Sequence, residues 1–214
     1  MVLDNQRDNV DPLLNRFANF FIHFNPNILS LISLIFAFLA GVFFYFSSPA
    51  FELNNFYLFF AALFVFLNGF FDAIDGKVAK LTGKKSVKGD FIDHAFDRFS
   101  DVLILGGLAL SPWCRDQYVI GLIAVAGMLL TSYMGTQSQA VGAKRNYSGL
   151  LGRADRLVIL IIAPILQHIL LFVYGFNLLF GFSLLTWILV YFGVIGVITA
   201  LQRFFSTLMW FNEK

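Results

Sequence analysis

Apolar residues run through this chain in six long stretches separated by short polar breaks. We place the stretches near residues 27–47, 53–74, 90–111, 117–140, 155–174 and 182–208. Each is long enough to cross the ~30 Å hydrocarbon core of a bilayer as an α-helix, which takes roughly 20 residues. Because only helices and closed barrels satisfy their backbone hydrogen bonds in lipid, the pattern predicts an all-α polytopic membrane protein with six transmembrane helices over residues 26–208.

A different pattern precedes the first stretch. Within residues 1–25, apolar side chains recur on one side of a helix, and Pro26 separates this segment from the first predicted span. These side chains are Leu13, Leu14, Phe17, Phe20 and Phe21. An apolar face opposite a polar one is typical of a helix that lies in the membrane interface. The sequence therefore predicts an N-terminal interfacial helix joined to the six-helix bundle, as one membrane domain over residues 1–214.

Composition supports the membrane assignment, and the charged residues orient it. The 214 residues are 58% hydrophobic and 13% charged, which is more apolar than an ordinary soluble domain. Basic residues gather in alternate breaks: Lys77, Lys80, Lys84, Lys85 and Lys88 after the second stretch, and Lys144, Arg145, Arg153 and Arg156 after the fourth. Since cytoplasmic loops are enriched in Lys and Arg, we expect both termini on the cytoplasmic side of the cell membrane. We expect no nucleic-acid partner.

Four aspartates stand at helical spacing on either side of the lysine-rich break. Asp72 and Asp75 are three residues apart, and Asp93 and Asp97 are four apart, so each pair projects from one face of its own helix. If the two helices lie side by side, the four carboxylates converge and need cations to offset their repulsion. Ligation by oxygen alone favours Mg²⁺ or Mn²⁺, and two ions match four carboxylates better than one.

The residues between the aspartates suit a nucleotide diphosphate. Gly76 and Ala79 leave one strip of the helix free of bulk, so that a flat base or a diphosphate could approach the backbone closely. The lysines of the break supply positive charge for an anionic ligand. Metal ions that draw charge off a leaving group, together with a carboxylate that deprotonates an attacking hydroxyl, are a standard division of labour in phosphoryl transfer.

The run from Asp72 to Lys80, followed by Gly89, Asp93 and Asp97, resembles the signature of the CDP-alcohol phosphatidyltransferase family, with Lys80 where the family usually has Arg. The resemblance implies a homodimeric six-helix enzyme of phospholipid biosynthesis. Such an enzyme transfers a phosphatidyl or ether-lipid group from a CDP-linked lipid to a small alcohol and releases CMP. The implied metal ligands are Asp72, Asp75, Asp93 and Asp97, with Asp97 as general base, Gly76 and Ala79 at the cytidine, Lys80 at the diphosphate, and Gly89 admitting the third helix to the nucleotide.

The acceptor alcohol stays open at the level of sequence. Arg153 and Arg156 could bind the phosphate of a phosphorylated polyol, such as glycerol phosphate or inositol phosphate, or they could anchor a helix at lipid headgroups. Gly135 and Gln137 stand where the inositol-phosphate-using members typically carry basic side chains. This departure weakens a direct assignment to inositol phosphate.

Neighbouring residues have simpler interpretations. We interpret Asp90 and Asp101 as supporting hydrogen-bond partners or solvated helix-start residues, and His94 as a structural histidine that points off the Asp93–Asp97 face. Two other functions fit the carboxylates. One is a CDP-choline or CDP-ethanolamine phosphotransferase that acts on a neutral lipid. The other is a divalent-cation transporter, whose carboxylates should lie nearer the bilayer middle.

Overall fold

The computed structural model describes residues 7–50, 52–114, 117–175 and 179–212, and these residues form seven α-helices. The helices are α1 (Arg7–Phe20), α2 (Pro26–Phe46), α3 (Glu52–Leu81), α4 (Val87–Ala109), α5 (Tyr118–Ala140), α6 (Arg153–Tyr174) and α7 (Leu184–Asn212). A 3₁₀ turn, Pro112–Cys114, follows α4. The all-α prediction is confirmed. Residues 1–6 of the predicted interfacial segment lie outside the described residues.

Local capping sets the ends of the helices that carry the aspartates. The side chain of Ser86 accepts a hydrogen bond from the Gly89 N–H at 3.0 Å, so α4 begins at Val87, earlier than the predicted span. α3 continues past residue 74 to Leu81, and the chain turns at Gly83, whose φ is +66°. The second predicted span therefore ends too early, because apolarity marks the part of a helix in lipid and not the whole helix.

Small residues let two pairs of helices approach closely. A Cβ on Gly107 of α4 would overlap the backbone of Gly41 on α2, and Ala37 is fully buried one turn away. On the other side of the bundle, a Cβ on Gly196 of α7 would overlap Gly127 of α5. Contacts of α3 with α6 and of α4 with α5 join these pairs into one bundle.

Apolar side chains fill the interior and also cover the outside. Phe44, Leu105, Met128 and Leu189 belong to the buried core cluster, whereas large apolar side chains such as Phe38, Phe60, Leu122, Ile162 and Leu201 are exposed. An apolar exterior around a helical bundle suits contact with lipid. The structure is that of a polytopic membrane protein.

Five helices of the described chain are long and apolar enough to span a membrane, namely α2, α3 from Asn55, α5, α6 and α7. α4 has 23 residues, which at ~1.5 Å per residue also reaches across a bilayer core. Its first fifteen residues carry the charges Lys88, Asp90, Asp93, Asp97, Arg98 and Asp101, which lower its mean hydropathy. The third predicted span, residues 90–111, is a helix in the structure, and its crossing of the membrane stays a prediction.

The N-terminal helix lies against α3. Ala18 is fully buried there, the rings of Phe17 and Phe70 meet edge to face at 5.4 Å, and Asp11 pairs with Lys77 at 2.6 Å. Phe20 remains exposed on the free side of α1. This arrangement agrees with a helix that lies along the membrane surface. α1, the α3–α4 connection and the α5–α6 connection all border one large cavity, so the basic breaks meet at one end of the bundle.

Candidate active site

Helices α3 and α4 bring the four predicted aspartates together. Ligand oxygens of Asp72, Asp75 and Asp93 lie within 4.8 Å of one another, and a second group with the same spacing consists of Asp93, His94 and Asp97. Asp93 belongs to both groups, so the carboxylates form one continuous acidic site. The spacing of three and four residues along two neighbouring helices is what produces this convergence.

Buried polar residues from α2, α3 and α4 form hydrogen bonds at and next to this acidic site. The Ser30 hydroxyl donates to Asp75 Oδ2 at 2.5 Å, and Asp75 is 4% exposed. Asn68, one turn before Asp72, donates from Nδ2 to Ser33 Oγ at 2.9 Å and to Ser100 Oγ at 3.3 Å. These bonds tie α2, α3 and α4 together. Sequence reasoning overlooked them, although an asparagine inside an apolar stretch was an available signal.

Arginines neutralise much of the negative charge. Arg153 Nη1 lies 2.5 Å from Asp72 Oδ2 and 2.7 Å from Asp97 Oδ1, and Arg156 Nη1 lies 3.0 Å from Asp101 Oδ2. Buried carboxylates need such partners, because an uncompensated charge is costly away from water. The guanidinium groups of Arg153 and Arg156 therefore turn toward carboxylates inside the bundle, which favours the acceptor site over an anchor at lipid headgroups.

The interpretations of the two flanking aspartates hold in the structure. Asp101 is a supporting partner, since it pairs with Arg156 and also lies 3.4 Å from Arg98 Nη1. The side chain of Asp90 is 68% exposed, as expected for a solvated residue in the first turn of a helix. Neither belongs to the clusters of possible metal ligands in the described residues.

The donor set of the acidic site fits a divalent metal ion. Oxygen ligands from several carboxylates within a few ångströms are what Mg²⁺ and Mn²⁺ prefer. Asp97 Oδ1 is buried and accepts no hydrogen bond from the described residues, although Arg153 Nη1 is close to it. The Arg153 guanidinium lies between Asp72 and Asp97, so this part of the site already holds a cation against the two carboxylates.

A cavity of about 1090 Å³ opens beside Asp72, Asp75 and Asp93. The four residues predicted to contact the nucleotide, Gly76, Ala79, Lys80 and Gly89, all line it, together with Lys84 and Lys85. A Cβ on Gly76 would meet no atom within 4 Å, so any side chain there would project into the cavity. The shape and charge of this space suit a nucleotide diphosphate.

A second, smaller cavity of about 270 Å³ lies beside Asp97. Five arginines line it: Arg98, Arg145, Arg153, Arg156 and Arg203. Sequence reasoning singled out only Arg153 and Arg156, because the other three come from α4, the α5–α6 connection and α7, far apart in the chain. Arg98, Arg153 and Arg156 pair with aspartates, whereas Arg145 and Arg203 pair with no carboxylate among the described residues, and this remaining positive charge indicates an anionic ligand.

Gly135 lies where α7 approaches this smaller cavity. A Cβ at Gly135 would stand 3.0 Å from Arg203 Nη1 and 2.9 Å from the Asn146 carbonyl oxygen. Arg203 donates to the carbonyl oxygens of Thr131 at 2.5 Å and Ser148 at 2.8 Å. The position that lacks a basic side chain in the sequence thus has a guanidinium beside it, from another helix.

The predicted direction of His94 is wrong. Its Nδ1 lies 3.4 Å from Asp93 Oδ2, its Nε2 lies 3.5 Å from Asp90 Oδ1, and its ring contacts Arg145 Nη1. Adjacent residues of a helix are about 100° apart, which placed His94 off the face of Asp93. The ring nevertheless turns toward the carboxylates, and the α5–α6 connection packs against it. The angular positions of residues around a helix predict neither the rotamer of the ring nor the packing of a distant loop.

Comparisons with known proteins agree with this geometry. The family model described as CDP-alcohol phosphatidyltransferase matches residues 23–199. The archaetidylinositol phosphate synthase of Pyrococcus horikoshii is 32% identical over 149 residues, which are 70% of this chain and 73% of that protein. The phosphatidylinositol phosphate synthase of Streptomyces avermitilis is 32% identical over 111 residues, which are 49% of this chain and 45% of that protein.

Solved structures show the same fold. The crystal structure of the Mycobacterium tuberculosis phosphatidylinositol phosphate synthase with CDP-DAG bound superposes with a TM-score of 0.69 at 21% identity, covering 92% of this chain and 94% of that one. A second structure of that synthase contains manganese and citrate and also gives a TM-score of 0.69 at 21% identity, covering 91% of this chain and 88% of that one.

The family match covers the acidic site, the large cavity and most of the bundle. With its four aspartates, its membrane fold and a relative aligned over more than two thirds of both chains, the chain belongs to the CDP-alcohol phosphatidyltransferase family, a divalent-metal-dependent class of membrane transferases in phospholipid biosynthesis.

Proposed function

We propose that this enzyme transfers the phosphatidyl or archaetidyl group of a CDP-linked lipid to a hydroxyl of inositol phosphate and releases CMP. The observation that carries the proposal is the small cavity lined by five arginines directly beside Asp97. A phosphorylated acceptor matches the charge of Arg145 and Arg203, which pair with no carboxylate among the described residues, whereas a neutral alcohol would leave these two guanidinium groups without an anionic partner. The names of the relatives from Pyrococcus and Streptomyces support inositol phosphate as that acceptor.

The large cavity is the proposed donor site. Gly76 and Ala79 line the space for the cytidine, and Lys80 contacts the diphosphate. Gly89 keeps the start of α4 narrow, since a Cβ there would stand only 3.2 Å from Ser86 Oγ, the side chain that caps the helix. The lipid chains would lie against the apolar exterior of the bundle. The solved relative with CDP-DAG bound supports a lipid donor of this kind.

The four aspartates are the proposed ligands of the metal. Asp72, Asp75, Asp93 and Asp97 would hold divalent ions, Mg²⁺ or Mn²⁺, with two ions matching four carboxylates. When bound, the ions would draw negative charge off the diphosphate and the departing CMP. The Ser30 hydroxyl orients Asp75 by donating to its Oδ2, which is how an outer group fixes a ligand.

In this proposal the donor occupies the large cavity beside Asp93 and the acceptor occupies the small cavity beside Asp97, whose carboxylate clusters with that of Asp93. The arginines hold the acceptor phosphate, so an acceptor hydroxyl is directed toward the Asp97 carboxylate. Asp97 takes the proton of that hydroxyl as general base. The hydroxyl oxygen then attacks the phosphorus that carries the lipid, the bond from this phosphorus to the bridging oxygen of CMP breaks, and CMP leaves with that oxygen.

The orientation and assembly of the enzyme are part of the same proposal. The two basic connections, α3–α4 and α5–α6, meet at the end of the bundle that holds the active site. The enrichment of Lys and Arg in cytoplasmic loops supports a cytoplasmic active site, with both termini on that side. We propose a homodimer in the cell membrane.

An assay of CMP release tests the function. The purified protein in lipid receives CDP-DAG or its archaeol analogue, Mg²⁺ or Mn²⁺, and one acceptor at a time: inositol 1-phosphate, glycerol 3-phosphate, inositol or serine. We expect CMP and a lipid-linked inositol phosphate, identified by mass spectrometry, only with inositol 1-phosphate, and no CMP from Asp93→Asn.

Other results would redirect the assignment. CMP release with glycerol 3-phosphate alone would replace the acceptor and keep the reaction. Turnover of CDP-choline with diacylglycerol would place the enzyme with the phosphotransferases that act on a neutral lipid. Metal flux into proteoliposomes without any transfer would support the transporter alternative.

A further inference from the structure

Four residues form the wall between the two cavities. His94, Arg145, Tyr147 and Arg153 are the residues that line both the large and the small cavity. Arg153 is held by Asp72 and Asp97. His94 and Arg145 contact each other within this wall. The wall separates the proposed sites of donor and acceptor, so its side chains lie next to the reacting groups of both.

Arg145 reaches this wall from a loop and not from a helix. It lies in the connection between α5 and α6, and its guanidinium stands 5.1 Å from the centroid of the Tyr147 ring. A loop side chain of this length has many conformations, so its position depends on the groups that contact it. The cation–π contact with Tyr147 restrains the face of the guanidinium, and His94 contacts its Nη1.

His94 holds Arg145 by a hydrogen bond. Arg145 Nη1 lies 3.4 Å from His94 Nδ1 and closer to Nε2. Since a guanidinium can only donate, the ring nitrogen that it meets must accept with a lone pair. The other ring nitrogen, Nδ1, lies 3.4 Å from Asp93 Oδ2, so a neutral ring with its proton on Nδ1 faces Asp93 with the donor and Arg145 with the acceptor Nε2. A residue of α4 thereby sets the position of a charge on the α5–α6 connection.

The contacts of Arg145 differ from those of the other arginines in the small cavity. Arg98, Arg153 and Arg156 pair with carboxylates, and Arg203 donates to two carbonyl oxygens. Among the described residues, Arg145 contacts a ring nitrogen and an aromatic face and pairs with no carboxylate. Arg145 can therefore give its charge to a ligand without first leaving an acid.

We propose that Arg145 determines specificity for the acceptor by binding its phosphate, and that His94 is the positioning residue that keeps Arg145 in the wall. This inference rests on the proposed function. Arg145 would supply, from the loop, positive charge that Gly135 and Gln137 do not supply from α5. A substitution of His94 should therefore change binding of the acceptor, although His94 is the neighbour of Asp93, a residue of the proposed donor site.

Steady-state kinetics of four variants test the pair. Arg145→Ala should raise KM for inositol 1-phosphate about tenfold or more, the loss expected for one charge-assisted hydrogen bond, with KM for CDP-DAG unchanged. His94→Leu should raise the same KM about three- to tenfold, and His94→Gln, which retains an acceptor, should stay near the parent value. The double variant His94→Leu/Arg145→Ala should be no worse than Arg145→Ala, because both act through one guanidinium.

Lys144→Ala is the matched control, because it removes one positive charge from the same loop at an exposed position. It should leave both KM values unchanged. An unchanged acceptor KM in Arg145→Ala, a rise in KM for CDP-DAG instead, or additive effects in the double variant would overturn the proposal.

Direct binding separates this inference from the proposed function. If the parent protein shows no turnover of inositol 1-phosphate, the proposed function has failed, and the same variants are titrated with inositol 1-phosphate by calorimetry. Weaker binding to Arg145→Ala and His94→Leu than to Lys144→Ala would still support a phosphate-binding Arg145. Equal binding to all three variants would refute it.

Discussion

Asp97 belongs to the acidic site and also faces the arginine-rich cavity. It shares a cluster of possible ligands with Asp93 and His94 and also lines the arginine-rich cavity. We expect Asp97→Asn to lower kcat by about 10²–10⁴, the usual contribution of a general base, while CDP-lipid binding is largely retained. Stopped assays of CMP release and a separate titration with CDP-DAG measure the two quantities. Lost CDP-DAG binding with normal turnover at saturating donor would contradict the role of general base.

Gly76 offers a test of the donor cavity that leaves the fold intact. A methyl group at Gly76 meets no protein atom within 4 Å, and alanine favours a helix over glycine by roughly 0.5–1 kcal/mol. We expect Gly76→Ala to retain thermal stability while KM for the CDP-lipid rises several-fold, because the methyl group enters the nucleotide space.

Gly106→Ala is the control for this substitution. Gly106 lies in α4, its Cβ would also meet nothing within 4 Å, and it does not line the donor cavity. It should change helix stability in the same direction and leave KM for the donor unchanged. If both variants raise KM equally, the effect comes from the bundle as a whole and Gly76 does not line the nucleotide site.

At the scale of the helices, hydrogen bonds of Asn68 join α2, α3 and α4 one turn away from the aspartates, and we call this contact the joint. Asn68 is fully buried and binds both Ser33 and Ser100. Removing its amide leaves two buried hydroxyls with fewer partners and loosens the approach of α3 to α4. We expect Asn68→Ala to lower the free energy of unfolding by ~1 kcal/mol, a typical value for hydrogen bonds between membrane helices, and to weaken Mn²⁺ binding at the aspartates.

Unfolding in detergent mixtures and a Mn²⁺ titration measure these two effects. Thr136→Ala is a suitable comparison, since the Thr136 hydroxyl bonds only to carbonyl oxygens of its own helix, at Ser132 and Tyr133. Thr136→Ala should leave metal affinity unchanged. If Asn68→Ala loses stability but binds Mn²⁺ normally, the joint does not position the carboxylates.

The sequence predicts helices better than it predicts how they meet. Apolar stretches located six of the seven described helices, and the spacing of Asp72, Asp75, Asp93 and Asp97 anticipated the acidic site, because both signals lie within single helices. The full length of α3 depended on polar residues outside the apolar stretch. Arg145 and Arg203 joined the site only through the packing of a loop and α7, and no local pattern near either residue reveals that contact.

At the scale of the whole molecule, the basic connections predict which end of the bundle faces the cytoplasm. Lys88, at the start of α4, is exposed at the end that holds the active site. Phe180, in the connection between α6 and α7, is 88% exposed. With consecutive crossings by α2 to α7, these two positions lie on opposite sides of the membrane. Positively charged connections stay on the cytoplasmic side, so Lys88 should face the cytoplasm and Phe180 the outside.

Labelling of introduced cysteines distinguishes the two faces. The parent chain has one cysteine, Cys114, which is buried and should react slowly. An impermeant maleimide should label Phe180→Cys in intact spheroplasts and Lys88→Cys only in inverted vesicles. The reverse result would place the active site outside the cytoplasm. Labelling of both positions from one side would mean that an even number of the helices α4 to α6 cross the bilayer. Since α5 and α6 are long and apolar enough to span it, α4 would then be the helix that does not cross.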